Sequence, residues 1–170
     1  MVLSVIIVAL SLAVDQLTKY LVVNLMEVRQ SIPLIDGFLY LTSHRNAGAA
    51  WGIFQDQMLF FYVVTVLICG FLVIWISRLD VRRDKLLLIA LSLLLGGALG
   101  NFLDRLFYQE VVDFADVIIF GYDFPIFNVA DMALTFGVIL LAVDAFLESR
   151  RSKSKDLDLS QVMRDIGKGD

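Results

Sequence analysis

The sequence predicts an all-α integral membrane protein of four transmembrane helices, with a small β-element and an interfacial segment on its outer side. Three observations predict it. The 170-residue chain is 59% hydrophobic and only 19% charged, against about 45–50% and about a quarter in soluble domains. Four segments each supply roughly 20 mostly apolar residues, the length a bilayer core requires. Lysine and arginine gather in the connections at one end of those segments.

The first helix spans about 2–26. It is uncharged to Val14 and then carries Asp15, Gln16 and Lys19. A basic start and an A-x-A-like cleavage site are both missing, so it reads as a retained helix and not a cleaved signal peptide. In the connection 27–57, Asp36-Gly37 is a turn signal before the β-favouring run Phe38-Leu39-Tyr40-Leu41-Thr42, which predicts a small sheet or ribbon. Ala49, Ala50, Trp51, Ile53 and Phe54 suit a segment along the membrane surface, where Trp is favoured. The second helix, about 58–77, has no charge, and the third runs over about 86–103. The fourth, about 129–147, has Asp131 near its start and Asp144 near its end. Lipid offers no partner to open backbone groups, so each span must be helical. Residues 1–148 are expected as one membrane-embedded domain. Residues 149–170 are expected as a polar cytoplasmic tail, disordered or weakly helical and without a catalytic role.

Orientation follows from the basic residues. Arg78, Arg82, Arg83 and Lys85 lie between the second and third helices; Arg150, Arg151, Lys153 and Lys155 follow the fourth. The other side holds only Lys19, Arg29, Arg45 and Arg105. The positive-inside bias places both termini in the cytoplasm and the connections 27–57 and 104–128 outside. A single cysteine, Cys69, and a single histidine, His44, exclude an internal disulfide, a cysteine zinc site and a three-histidine metal site. No cofactor, metal or nucleic-acid partner is expected.

A charge at membrane depth costs about 2.5–3.5 kcal/mol on insertion scales and needs a reason. Asp15, Lys19, Asn101, Asp104, Arg105, Asp113, Asn128 and Asp131 all fall at outer helix ends or in outer connections, so they converge on one level of the bundle. Asp15 and Lys19, four apart on one helix face, read as a buried ion pair or as substrate contacts. Gly96 and Gly100 form a small-xxx-small pair suited to close helix packing. Arg105, one turn beyond Asn101, either binds a phosphate or carboxylate or supports the site by pairing with Asp104 or Asp15.

Asp113, in Val111-Val112-Asp113-Phe114, and Asp131, in Phe127-Asn128-Val129-Ala130-Asp131, are separated by a 14-residue loop, Phe114 to Phe127, long enough to bring them together. Two adjacent carboxylates cannot easily both ionise. One then activates water while the other polarises a carbonyl, which is aspartic protease chemistry. The competing reading makes Asp131 a charge favoured by the helix dipole and Asp113 a loop surface acid; spacing alone leaves both open. Asp144 lies roughly 20 Å along its helix from Asp131, and Asp116 and Asp123 sit within the loop. The terminal Gly167-Lys168-Gly169-Asp170 matches a GxGD protease signature by chance, since it closes a hydrophilic tail.

Across about residues 10–145 the chain resembles the lipoprotein signal peptidases (signal peptidase II) of bacteria. The resemblance is carried by Asp15-Gln16-Leu17-Thr18-Lys19, Asn46-Ala47-Gly48-Ala49-Ala50-Trp51-Gly52, Gly97 through Arg105, Val111 through Phe114, and Phe127 through Asp131, in family order and spacing. It implies a catalytic pair Asp113 and Asp131. It also implies that Asn46, Gly48, Asn101, Arg105 and Asn128 line or support the site, with Asp15 and Lys19 in support. The family fold has four transmembrane helices, a small extracytoplasmic β-cradle and a surface helix. Its substrates are prolipoproteins whose lipobox cysteine carries diacylglycerol, cut just before that cysteine, and globomycin-type peptides inhibit it. A monomer in the bacterial cytoplasmic membrane is expected, with its site on the extracytoplasmic side and the outer connection as a lid. Two other classes compete: a small transporter or proton channel, which predicts acids spread through the bilayer depth, and a non-catalytic scaffold, which needs no acid pair.

Overall fold

A computed structural model describes residues 1–48, 53–55 and 57–166, with 152 and 154–166 as backbone only. The chain order is α1 (Val2–Leu25), β1 (Ser31–Ile35), β2 (Leu39–Asn46), α2 (Met58–Ser77), α3 (Lys85–Tyr108), β3 (Val111–Ile119), β4 (Tyr122–Asp123) and α4 (Val129–Ile166). Among the described residues four helical stretches are long and apolar enough to cross a membrane: Val2–Leu25, Met58–Ser77, Lys85–Tyr108 and Val129–Arg151. Their outward side chains, such as Leu10, Leu67 and Val138, are apolar and exposed, the surface a bilayer solvates.

Helix α3 is the centre, packed against α1, α2 and α4. Its glycines permit this. A Cβ on Gly97 would meet the Ala130 carbonyl at 2.5 Å, and one on Gly100 would meet Asp15 Oδ2 at 2.6 Å. Backbone cannot step aside as a flexible side chain can. Gly97→Ala is therefore expected to cost about 1–3 kcal/mol by overpacking, read as a lower unfolding temperature in detergent; an unchanged temperature would show that α4 shifts freely. At one end of the bundle Leu72, Ile76, Leu91 and Leu95 form the core. At the other, Val22 and Met26 of α1 pack on Val112 and seat the sheet, with Leu41 and Phe114 at the rim.

The sheet is antiparallel in the order β1-β2-β3-β4. Gly37, at φ 73°, makes the turn between β1 and β2. Phe120 (φ 50°) and Gly121 (φ 80°) both lie at positive φ in the β3–β4 hairpin, the condition of a primed two-residue turn. Strand β2 continues past the expected Thr42 to Asn46, which pairs with Val111, while His44 pairs with Asp113. The stretch expected as a loop between Asp113 and Asp131 is instead a hairpin that runs out and returns. The Phe127 carbonyl accepts from the Phe114 and Ala115 amides at 3.0 and 2.7 Å, and the Phe127 amide donates to the Ala115 carbonyl at 3.0 Å.

Two helix ends differ from expectation. Helix α3 runs past Leu103 to Tyr108 before Gln109 turns left-handed at φ 59°, because Asp104 faces inward and is satisfied there. Helix α4 continues without a break to Ile166, so the polar stretch from Ser149 is helical that far. Ala49, Ala50 and Trp51 of the expected interfacial segment lie outside the described residues, as do parts of the expected lid and the terminal Gly167–Asp170.

Candidate active site

Helix α4 begins with a reciprocal cap. The Asn128 side-chain oxygen accepts from the Asp131 amide at 3.0 Å, and Asp131 Oδ2 accepts from the Asn128 amide at 3.2 Å. This satisfies first-turn donors and points the Asp131 carboxylate back across the helix start. The second oxygen, Oδ1, accepts from the Asn101 amide group on α3 at 2.7 Å.

Asp113 comes from β3. Its Oδ1 accepts from Asn128 Nδ2 at 2.6 Å and its Oδ2 from Asn46 Nδ2 at 3.1 Å. Asn128 therefore touches both acids, with none of its surface exposed. Burial, and then the neighbouring Asp131 charge, push the Asp113 carboxyl up to about 7, against the opposing pull of Asn46, Asn128 and Lys19. Removing a carboxylate from water disfavours its ionised form, and a second carboxylate nearby adds to that.

Below the pair lies a buried charge network. Lys19 Nζ is 2.9 Å from Asp15, 3.0 Å from Asp104 and 3.0 Å from the Asn101 oxygen. Asp15 and Lys19 thus form the buried ion pair foreseen from their spacing, with Asp104 as a third member. The sequence placed Asp104 in the convergent cluster but gave it no role beyond a candidate partner for Arg105; its position one turn beyond Gly100 was the signal for the inward face. Gln16, which sequence reasoning missed, donates to Asp104 at 3.0 Å, to Asp15 at 3.2 Å and to the Gly100 carbonyl at 3.3 Å.

Arg105 departs from expectation: no ion pair joins it to Asp104 or Asp15, whose carboxylates are held by Lys19. Its Nη2 donates to the Gly48 carbonyl at 3.0 Å, and its guanidinium lies 4.2 Å from the Phe61 ring centre. Its Nε is buried without a partner among the described residues. The Asn46 side chain spans Asp113, to which its Nδ2 donates, and the Gly48 N–H, which donates to Asn46 Oδ1 at 2.9 Å. The other loop acids stand apart. Asp116 accepts from Thr42 at 2.6 Å on the sheet, and Asp123 lies exposed on β4.

Both carboxylates line a cleft of about 770 Å³. Its floor is α3 at Ala98 and Asn101; Thr65 and Ile68 of α2 form one wall, and Met132, Thr135 and Phe136 of α4 another. Phe124 and Phe127 cover the sheet side, stacked edge to face at 5.9 Å. The cleft is apolar along the helices and carries Asn46, Asn101, Arg105, Asp113 and Asp131 where they meet the sheet. Such a site can hold a lipid-borne chain and present a peptide carbonyl to two acids.

Residues 7–147 match the family described as signal peptidase (SPase) II. Two solved structures, each described as a bacterial membrane enzyme determined by the in meso method, are also similar. The one at 2.3 Å resolution is 46% identical, with a TM-score of 0.82 over 90% of this chain and 92% of that one. The one at 1.9 Å is 47% identical, with a TM-score of 0.77 over 84% and 92%. The match spans nearly all of the membrane domain and carries the acids described above, so the chain belongs to the signal peptidase II family and is a multi-pass membrane aspartic peptidase that processes lipoprotein precursors.

Proposed function

We propose that Asp113 and Asp131 are the catalytic pair and that they cut the precursor just before its diacylglyceryl cysteine. The observation that carries this is Asn128, buried and bonded to both carboxylates at the head of an apolar cleft. With Asp113 raised to about 7, its carboxyl supplies the acid near neutrality and Asp131 the base. Asp131 takes a proton from a water as the water oxygen attacks the scissile carbonyl, while Asp113 donates to the carbonyl oxygen. Collapse of the tetrahedral intermediate then breaks the C–N bond: the proton held by Asp131 passes to the leaving amine, and a hydroxyl of the intermediate returns its proton to Asp113 as the new carbonyl forms. Asn46, Gly48, Asn101, Asn128, Asp15 and Lys19 support the pair. Arg105 anchors the Gly48 segment and lines the cleft.

The acids gather at the end of the bundle where the sheet sits. The cluster Arg78, Arg82, Arg83 and Lys85 lies at the opposite end of α2 and α3. This supports a site on the extracytoplasmic side and cytoplasmic termini. It also weighs against an ion pathway, which needs polar groups through the bilayer depth. We assign the cleft to globomycin-type peptides as well as substrate, and read the enzyme as a monomer, since the site is built within one chain.

The test compares the purified protein on a diacylglyceryl precursor and on the same precursor unmodified. Even four buried methylenes, at about 0.8 kcal/mol each, are worth on the order of 100-fold in kcat/KM, so at least that preference is expected. Equal cleavage of both precursors would refute a lipid-reading cleft.

A further inference from the structure

The geometry points to Lys19 as a positioning residue that sets the separation of the two catalytic carboxylates by tying together the two buried acids that hold the backbone just ahead of each. This rests on the catalytic pair proposed above. Asp15 Oδ1 accepts from the Ala130 N–H at 2.8 Å, one residue before Asp131. Asp104 Oδ2 accepts from the Val112 N–H at 3.1 Å, one residue before Asp113. Each supporting acid thus grips the peptide unit that leads into one catalytic acid, and Lys19 Nζ bridges them at 2.9 and 3.0 Å.

The catalytic acids come from separate elements, a strand and a helix start, with a hairpin between them. Asn128 bonds to both carboxylates, but the backbones that carry them belong to different elements. The bridge ties those backbones together, because Asp15 and Lys19 share α1 while Asp104 stands on α3, and the two helices pack against each other. Gly100 lets the Asp15 carboxylate lie directly against α3, and Gln16 braces both acids from the side. All three charged groups are at least 98% buried. A buried ion pair is poor evidence of stabilisation, since desolvation can exceed the attraction. Its retention here is better explained by the geometry it enforces. Lys19 also reaches the pair by a second path: it donates to the Asn101 oxygen, and Asn101 donates to Asp131.

Misplacing a reacting group by about 1 Å can cost on the order of 100-fold. Lys19→Met is therefore expected to lower kcat by about 100-fold per folded molecule, to leave KM within about threefold, and to displace the pH–rate profile. Lys19→Arg, which restores the cation, is expected to recover most of the loss. The charged groups facing the pair are Asp15 and Lys19 from α1 and Asp104 and Arg105 from α3. His44 lies opposite Asp113 on β2, so a His44→Gln control assigns any displaced limb. The readout is full-length protein on a diacylglyceryl precursor, with the folded fraction from size exclusion and thermal unfolding. A folded Lys19→Met enzyme with wild-type kcat and pH profile overturns the inference. If Lys19→Met does not fold, Asp15→Asn and Asp104→Asn decide. Asp15→Asn keeps an oxygen for the Ala130 N–H but loses its hold on Lys19, whereas in Asp104→Asn one neutral oxygen still meets both the Val112 N–H and Lys19 and only the ion pair is lost. A roughly tenfold lower kcat with a displaced profile is expected of Asp15→Asn and a smaller loss of Asp104→Asn, and wild-type behaviour of Asp15→Asn overturns the inference. Activity surviving in Asp113→Asn or Asp131→Asn would instead overturn the catalytic pair itself.

Discussion

Asp113→Asn and Asp131→Asn are each expected to give folded protein whose cleavage rate is lower by on the order of 10⁴, the upper range for removing a general acid or base. Asparagine matches the shape of aspartate, and its carbonyl still accepts one of the two donors each carboxylate now meets: Asn46 and Asn128 at Asp113, Asn101 and the Asn128 amide at Asp131. Asp113 is buried and Asp131 partly so, and a neutral side chain avoids the cost of holding charge there. Unfolding temperatures equal to or above wild type should accompany the lost activity. The wild-type pH profile follows from the same geometry. Because Asp113 is held at about 7, its acid form predominates below that pH and falls away above it, approaching tenfold per unit. The alkaline limb of kcat/KM should therefore lie near neutrality and belong to the coupled pair. Near-normal cleavage by either variant would remove that residue from the chemistry.

Much of this was legible in the sequence because membranes impose simple rules. Apolar runs at Val2, Met58, Leu86 and Val129 gave the four helices, since nothing else satisfies backbone groups in lipid. The acids stood out because Asp15, Asp104 and Asp131 lie within or beside those runs. The sheet was harder to read. Strand β3 pairs with β2 about seventy residues earlier, as at Asn46 with Val111, and no local pattern records such a pairing. Hence Phe114–Phe127 read as a loop, although Phe120-Gly121 carried turn chemistry. Of the two roles left open for Arg105, pairing with Asp104 or Asp15 fails for a related reason. Its carbonyl and aromatic partners, Gly48 and Phe61, come from segments whose approach depends on the tertiary fold, whereas an arginine beside Asp104 in sequence suggests an ion pair.

Asn128→Asp is expected to separate the folding role of that residue from its catalytic one. The Asn128 oxygen caps α4 by accepting from the Asp131 amide, and aspartate caps about as well as asparagine. Alanine would remove the cap at a cost of about 1 kcal/mol and confuse the two roles. The amide nitrogen has no such substitute. It donates to Asp113 at 2.6 Å and to Asn101 at 3.1 Å, and in the variant a carboxylate oxygen faces both. A third acid against Asp113 strengthens the repulsion that already raises it, so the acid form persists to higher pH and the alkaline limb moves up. Asn101 must also turn away from the new oxygen, and the Lys19–Asn101–Asp131 relay turns with it. On the order of 10³-fold lower kcat at neutral pH is expected per folded molecule, with a profile displaced toward alkali and an unfolding temperature lowered by the burial of a third carboxylate. A variant that kept both kcat and the profile would mean that Asp113 finds its donors elsewhere, and that Asn128 serves the helix alone.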